Sequence, residues 1–203
     1  MNILSWILNL ILGVISRTGY LGIFVLMFLQ SINIPVPSEV IMPFSGFLAS
    51  RGVFNFWLVV LIGTVGNLAG AYLSYKLAYA FLGSATRDRH PFLKKIASEK
   101  NLALAQKWFD KYGSISVFFS RMVPVVSTFI SFPAGLAKMR LSLFLPLTFA
   151  GSFVWSYVLT KIGFILGANW SLIQVYFRKL DYIILAFIVV GIAYLAQRHF
   201  KKS

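Results

Sequence analysis

Two ionisable side chains stand in parts of the sequence that otherwise carry no charge. Glu39 is the only charged residue between Thr18 and Ser50, and Arg121 is the only one between Ser114 and Ala137. A carboxylate in a strongly apolar stretch is costly at membrane depth and marks a functional site by default. It can also take up and release a proton. A guanidinium stays charged and offers a planar fork of donors that matches phosphate. Each residue also has a plainer role open to it. Glu39 can cap a half-helix or pair with Arg121, and Arg121 can snorkel to an interface. Around them, Ser38, Ser127, Thr128 and Ser131 can donate hydrogen bonds to a phosphate or satisfy backbone groups that prolines leave free. Lys138 and Arg140 follow closely and fit either interfacial anchors or auxiliary cations for a lipid head group.

Other chemistries find little support. There is no cysteine, hence no thiolate nucleophile and no disulfide. The two histidines, His90 and His199, sit in charged segments. The remaining acids, Asp88, Glu99, Asp110 and Asp181, lie outside the broken apolar stretches and form no cluster that could hold Mg²⁺. The pattern offers no metal site, calls for no cofactor and predicts a protein that is not an enzyme. The net charge of +14 could signal nucleic acid, but the excess gathers beside apolar runs, in 87–111 and at Arg198, Lys201 and Lys202. Anionic head groups and the positive-inside rule account for that placement, so nucleic acid is not an expected partner.

These residues are set in a chain that is 59% hydrophobic and 12% charged, about half the usual share of charge for a soluble domain. Residues 1–16, 18–38, 52–75, 122–137, 141–160, 162–177 and 182–197 carry no charge. Several of these runs approach the roughly 20 residues that cross a hydrocarbon core. The predicted class is an all-α integral membrane protein. Clean spans are expected at 55–82, 141–167 and 181–198. Residues 1–17 read as a retained membrane or interfacial helix, because a basic n-region and a cleavage site are missing.

Two stretches are not clean. Residues 18–50 contain Pro35, Pro37, Pro43 and Gly46, and residues 114–137 contain Pro124, Pro133 and Gly135. Proline removes a donor and clashes with the preceding turn. Broken backbone at membrane depth survives only when buried in protein or lining a wet cavity. Both stretches are therefore expected to be re-entrant helical hairpins. PVPSEVIMPFSGFL at 35–48 aligns without a gap on PVVSTFISFPAGLA at 124–137, with Pro35, Val36, Ser38, Ile41 and Gly46 matching Pro124, Val125, Ser127, Ile130 and Gly135. Each hairpin precedes a span, so the units 18–82 and 114–167 read as an internal repeat. The most basic segment, 83–113, is expected to be a cytoplasmic amphipathic linker, with the tail 199–203 on the same side. One net crossing per unit then gives the two repeats opposite orientation, the plan of many transporters.

At INIPVPSEVIMPFSGFLA (32–49), GNLAGAYLSYKLAY (66–79), WFDKYG (108–113) and FFSRMVPVVSTFISFPAGLAKM (118–139) the chain resembles the DedA family, also called the SNARE-associated or VTT-domain family. It is most similar to the bacterial branch of undecaprenyl-phosphate and phospholipid translocases. The resemblance implies lipid transport across the cell membrane, coupled to a proton or sodium gradient. It implies that Glu39 is the family's membrane-embedded glutamate. Arg121 and Pro124 would be the first arginine and the proline of its R-x-x-P-x-x-R pattern, whose second arginine falls on Ser127. Arg51 and Asn55 stand where some members have an acid.

The expectation is thus an inverted-repeat flippase for an anionic lipid, undecaprenyl phosphate first. Arg121, Ser127, Thr128 and Ser38 would hold phosphate, and Glu39 would couple to the gradient. The alternatives are a phosphatidylethanolamine or general phospholipid scramblase, a lipid-phosphate enzyme, and a membrane scaffold. Membrane lipids are the expected partners, and a homo-oligomer is compatible with the pattern.

Overall fold

Runs of apolar residues without a polar face form helices only where their outer surface meets something other than water, and that condition shapes the whole molecule. A computed structural model describes residues 3–34, 36–83, 103, 107, 109, 112–124 and 126–169. Among them every regular element is helical and no strand occurs. The chain divides into two compact units, Met1–Ile165 and Leu166–Ser203. The second is described over a single 3-10 turn, Leu166–Asn169. In the first, the described α-helices in chain order are α1 (Ile3–Thr18), α2 (Tyr20–Ser31), α3 (Ser38–Ser50), α4 (Phe56–Gly83), α5 (Ser116–Ser120), α6 (Val126–Phe129), α7 (Ser131–Leu136) and α8 (Leu141–Ile165). The span expected at 181–198, the tail 199–203, most of the basic segment 83–113, and residues Pro35 and Val125 lie outside the described residues.

Helices α4 and α8, of 28 and 25 residues, are long and apolar enough to cross a membrane. At about 1.5 Å per residue they reach beyond a hydrocarbon core of about 30 Å. Helices α2 and α3 have 12 and 13 residues and are too short to cross. The surface is apolar: Trp57, Leu58, Leu61, Val65 and Leu73 of α4 and Leu143, Phe149, Val158 and Ile162 of α8 all face outward. The interior instead holds hydroxyls and amides, including Gln30, Ser38, Asn67, Ser127, Thr148, Ser152 and Ser156. A water-soluble helical protein would show the reverse arrangement.

Helix α2 runs along α4 and α5 runs along α8, while α3 packs on α8 and α7 packs on α4. Glycines set the closest of these approaches. Gly46 in α3 abuts the Thr160 carbonyl of α8, and Gly135 in α7 abuts the Tyr75 carbonyl of α4. Gly70 in α4 lies against the Phe28 carbonyl and Ser31. Gly151 in α8 lies against the Phe118 carbonyl and Arg121, where an added Cβ would stand 2.6 Å from that oxygen. Any side chain at these points would push two backbones apart.

The interruptions fall at particular places. The first lies between α2 and α3, where Asn33 adopts φ 73, a left-handed conformation that asparagine tolerates better than most residues. Pro37 then caps α3 at φ −76. Pro43 and Gly46, expected to break the hairpin, lie inside α3. Pro43 removes the bond its N–H would give to the Glu39 carbonyl, yet Ile41, Met42, Phe44 and Ser45 around it are buried and hold the helix in place. In the second stretch Pro124 separates α5 from α6. Pro133 is the third residue of α7, within the first turn, where N–H groups have no partner of their own in a short helix.

Candidate functional site

Arg121 follows directly on α5, and its side chain is 1% exposed. Its fork is held by neutral oxygens from three elements, α6, α7 and α8. One terminal nitrogen donates to the Ser127 carbonyl at 3.0 Å. The other donates to the Ser131 hydroxyl at 2.8 Å and, at 3.5 Å, to the Thr148 hydroxyl of α8. Nε is buried without any partner. The local sequence explains the arrangement. The break at Pro124 turns the chain back, so that Ser127 and Ser131 on α6 and α7 face a residue only a few positions earlier. Gly151 lets α8 close over the Arg121 stem. None of these partners is a carboxylate, and Glu39 is not among them. A buried cation held only by neutral dipoles is incompletely compensated. Three of its five N–H groups are used, which leaves that of Nε and the second one on the nitrogen bonded to Ser127, and an anion is the acceptor that would also balance its charge.

Glu39 lies in the first turn of α3 and is half-buried. Its carboxylate lies beside the Ser38 hydroxyl. That hydroxyl accepts a hydrogen bond from the Gln30 amide of α2 at 3.3 Å. Gln30 and Ser38 are both buried, and the Gln30 carbonyl oxygen has no partner. An amide, a hydroxyl and a carboxylate thus form a short polar chain where α2 meets α3.

Helices α4 and α8 are joined by a buried bond from the Ser152 hydroxyl to the Asn67 carbonyl oxygen at 2.7 Å. Ser156, one turn further along α8, is buried with its hydroxyl unpartnered. Ser74 of α4 donates to Asn33 at 2.9 Å and ties the α2–α3 break to the long helix.

The expected phosphate-holding residues are therefore divided. Ser127 meets Arg121 through its carbonyl. Thr128 is buried, with no described bond to Arg121. Ser38 belongs with Glu39 instead. Lys138 and Arg140 are exposed on the turn between α7 and α8. The composition of the sequence gave no cue to Thr148, Gly151 or Gln30. Among the described residues no group of three or more His, Cys, Asp and Glu side chains gathers.

A family model for the VTT domain matches residues 36–165, a range that holds Glu39, Arg121 and both long helices. The chain belongs to the VTT-domain family. Its relatives in that family include an "Alkaline phosphatase-like protein" of Lactococcus lactis subsp. cremoris (strain MG1363), 32% identical over 96% of this chain and 95% of the relative. Undecaprenyl phosphate transporter A of Staphylococcus aureus (strain NCTC 8325 / PS 47) is 29% identical over 93% of this chain and 94% of its own length. The Bacillus subtilis (strain 168) protein of the same name is 29% identical over 84% and 79%. No solved structure matches the chain. VTT-domain membership and the two long apolar helices agree on a membrane protein.

Proposed function

We propose that this VTT-domain protein is a transporter that carries an anionic, phosphate-bearing lipid, undecaprenyl phosphate, between the leaflets of the cell membrane. The observation that carries the reading is Arg121: a fully buried guanidinium whose described partners are all neutral and whose Nε is unpaired. The names of the Staphylococcus and Bacillus relatives support the choice of lipid.

In this account Arg121 grips the phosphate, with Ser131 and Thr148 as the hydroxyls that exchange their bonds to the arginine for bonds to the ligand. The Thr148 contact, at 3.5 Å, is the longest of the three and the first to yield. Glu39 takes and releases the coupling ion, and the neighbouring Ser38 links that event to α2 through its bond with Gln30. Alternating access comes from an inverted repeat of hairpin plus span. The matched glycines Gly46 and Gly135 each set a hairpin arm on the long helix of the other half, and Gly70 and Gly151 each seat the first arm on the long helix of its own half. Under that equivalence Ser31 stands where Arg121 stands in the second half, so one half carries the cation and the other the acid. The basic segment 83–113 lies in the cytoplasm, and the two hairpins open to opposite sides.

Native mass spectrometry of the protein released from its own membranes tests the reading. A retained prenyl phosphate that is lost from Arg121→Ala supports it. Retention of zwitterionic phospholipid alone would replace it with a phospholipid scramblase. The Lactococcus relative's name favours a second reading, a lipid-phosphate hydrolase. Release of inorganic phosphate from a prenyl phosphate by the purified chain, abolished by Glu39→Gln, would establish that one instead.

A further inference from the structure

The turn that joins α7 to α8 is built to hold its shape. Lys138 adopts φ 53, in the left-handed region that a side chain rarely occupies. Its N–H donates to the Gly135 carbonyl at 3.1 Å, and the Met139 N–H donates to Ala134 at 3.1 Å. The Tyr75 hydroxyl of α4 donates to the Met139 carbonyl. Tyr75 is itself fixed by ring contacts with Phe144, centroids 4.9 Å apart, and Tyr79, centroids 6.2 Å apart. The backbone that carries Lys138 and Arg140 is thus tied to α4 one residue from Lys76.

A surface pocket of about 310 Å³ opens at this place, and its lining includes Lys76, Lys138, Arg140, Tyr75 and Tyr79. No acid lines it. A second pocket of about 310 Å³ flanks the other side of the same turn, again with Lys138 and Arg140 and with no acid among the described residues. Three cations around one rigid hollow repel one another, and an anion seated among them would relieve that repulsion. Lysines that merely reach for the head-group layer need neither a shared pocket nor a pinned turn. Arg140 precedes Thr148 by eight positions, about 12 Å along α8. The pocket is therefore two turns of helix from the contact that Thr148 makes with Arg121.

We propose that the Lys76–Lys138–Arg140 pocket is a second anion site, which takes the phosphate group of a lipid head group or free inorganic phosphate. The site stands on the pocket itself. Its use as an outer station from which a lipid phosphate passes to Arg121 rests on the proposed transport function.

The test is calorimetric titration of the purified full chain in neutral detergent, with farnesyl monophosphate and with inorganic phosphate as probes. Six proteins are compared: wild type, Arg121→Met, the triple variant Lys76→Gln/Lys138→Asn/Arg140→Gln, that triple combined with Arg121→Met, Arg140→Gln alone, and Lys161→Gln as a single-charge control elsewhere. Asparagine at 138 keeps a residue that tolerates the left-handed conformation. Arg121→Met is expected to retain a phosphate-binding event. The triple variant is expected to weaken that event about tenfold when combined with Arg121→Met, and Lys161→Gln to leave it unchanged, given exposed ion pairs that each contribute roughly 0.2–1 kcal/mol. Arg140→Gln alone, a change on an exposed side chain that should not disturb folding, should weaken it about twofold to fivefold. Binding of both probes identifies free phosphate as a ligand, and binding of farnesyl phosphate alone identifies the lipid head group. Loss of all phosphate binding in Arg121→Met, or wild-type affinity in Arg140→Gln and the triple variant, overturns the second site. Failure of transport with this binding intact would count against the transport reading alone.

Discussion

Replacing Arg121 with methionine separates a residue kept for a ligand from one kept for the fold. In the described state the guanidinium is buried with three hydrogen bonds to neutral oxygens and an unpaired Nε. Methionine reproduces the arginine stem under Gly151 but stops where Nε stood, so the space of the guanidinium head is left unfilled. It strands the Ser131 and Thr148 hydroxyls, at a cost of about 1–3 kcal/mol for each one left unsatisfied, and removes the several kcal/mol that it takes to bury an uncompensated cation. The two effects oppose each other, so thermal stability should change little or rise. Ligand binding has no such compensation. A phosphate that engages Nε and one terminal nitrogen makes two charge-assisted bonds of about 1.5–3 kcal/mol each. Their loss lowers affinity by roughly 10² to 10⁴-fold. The assay pairs thermal unfolding in detergent with titration of a prenyl phosphate against the component of binding that Arg140→Gln leaves intact. A variant that unfolds many degrees lower while binding that component as tightly as wild type would refute the reasoning, because Arg121 would then be a structural clasp.

Further expectations follow from the same geometry. Glu39→Gln keeps the shape and a polar end of the side chain beside Ser38 but cannot release a proton. It should fold normally and lose the stimulation of transport by an imposed ion gradient, read by comparing liposomes with and without the gradient. Gly151→Ala brings a Cβ to 2.6 Å from the Phe118 carbonyl oxygen and 3.0 Å from the Arg121 Cβ. Overpacking of this kind costs about 1–3 kcal/mol. Gly13→Ala, with nothing within 4 Å, should be neutral or stabilising in the same thermal melt. Ser152→Ala removes the donor to the buried Asn67 carbonyl oxygen and should destabilise by about 1–3 kcal/mol. Asn67→Leu/Ser152→Ala together should recover part of that loss, since both polar partners are then gone.

Glu39 and Arg121 were legible in the sequence because a single charge in a long apolar stretch is conspicuous and costly. The two long helices were legible for the matching reason: unbroken apolar runs have few other structures open to them. Thr148, Gly151 and Gln30 were not. A threonine, a glycine or a glutamine in an apolar helix is ordinary, and each acquires a role only when the fold sets it against a residue eight or more positions away. Proline gave a mixed signal. Pro37 and Pro124 do stand at interruptions, but Pro43 runs on inside α3, where tight burial against α8 outweighs the lost bond. The nature of the Arg121 partners was also hidden, because a carbonyl such as that of Ser127 belongs to every residue type. Lys76, read from the sequence alone, resembles a snorkelling lysine at the end of a span. The pocket it shares with Lys138 and Arg140 depends on a turn more than 60 positions away in the chain.

The central claim is that the protein moves a lipid phosphate across the bilayer by means of Glu39 and Arg121. Reconstituted liposomes that carry a labelled undecaprenyl phosphate in one leaflet test it most directly, with the rate of appearance in the other leaflet as the measurement. The account predicts transport by the wild-type chain, acceleration by an ion gradient, and a rate near that of protein-free liposomes for folded Arg121→Ala. Folded Glu39→Gln and Arg121→Ala proteins that move the lipid at the wild-type rate would contradict it.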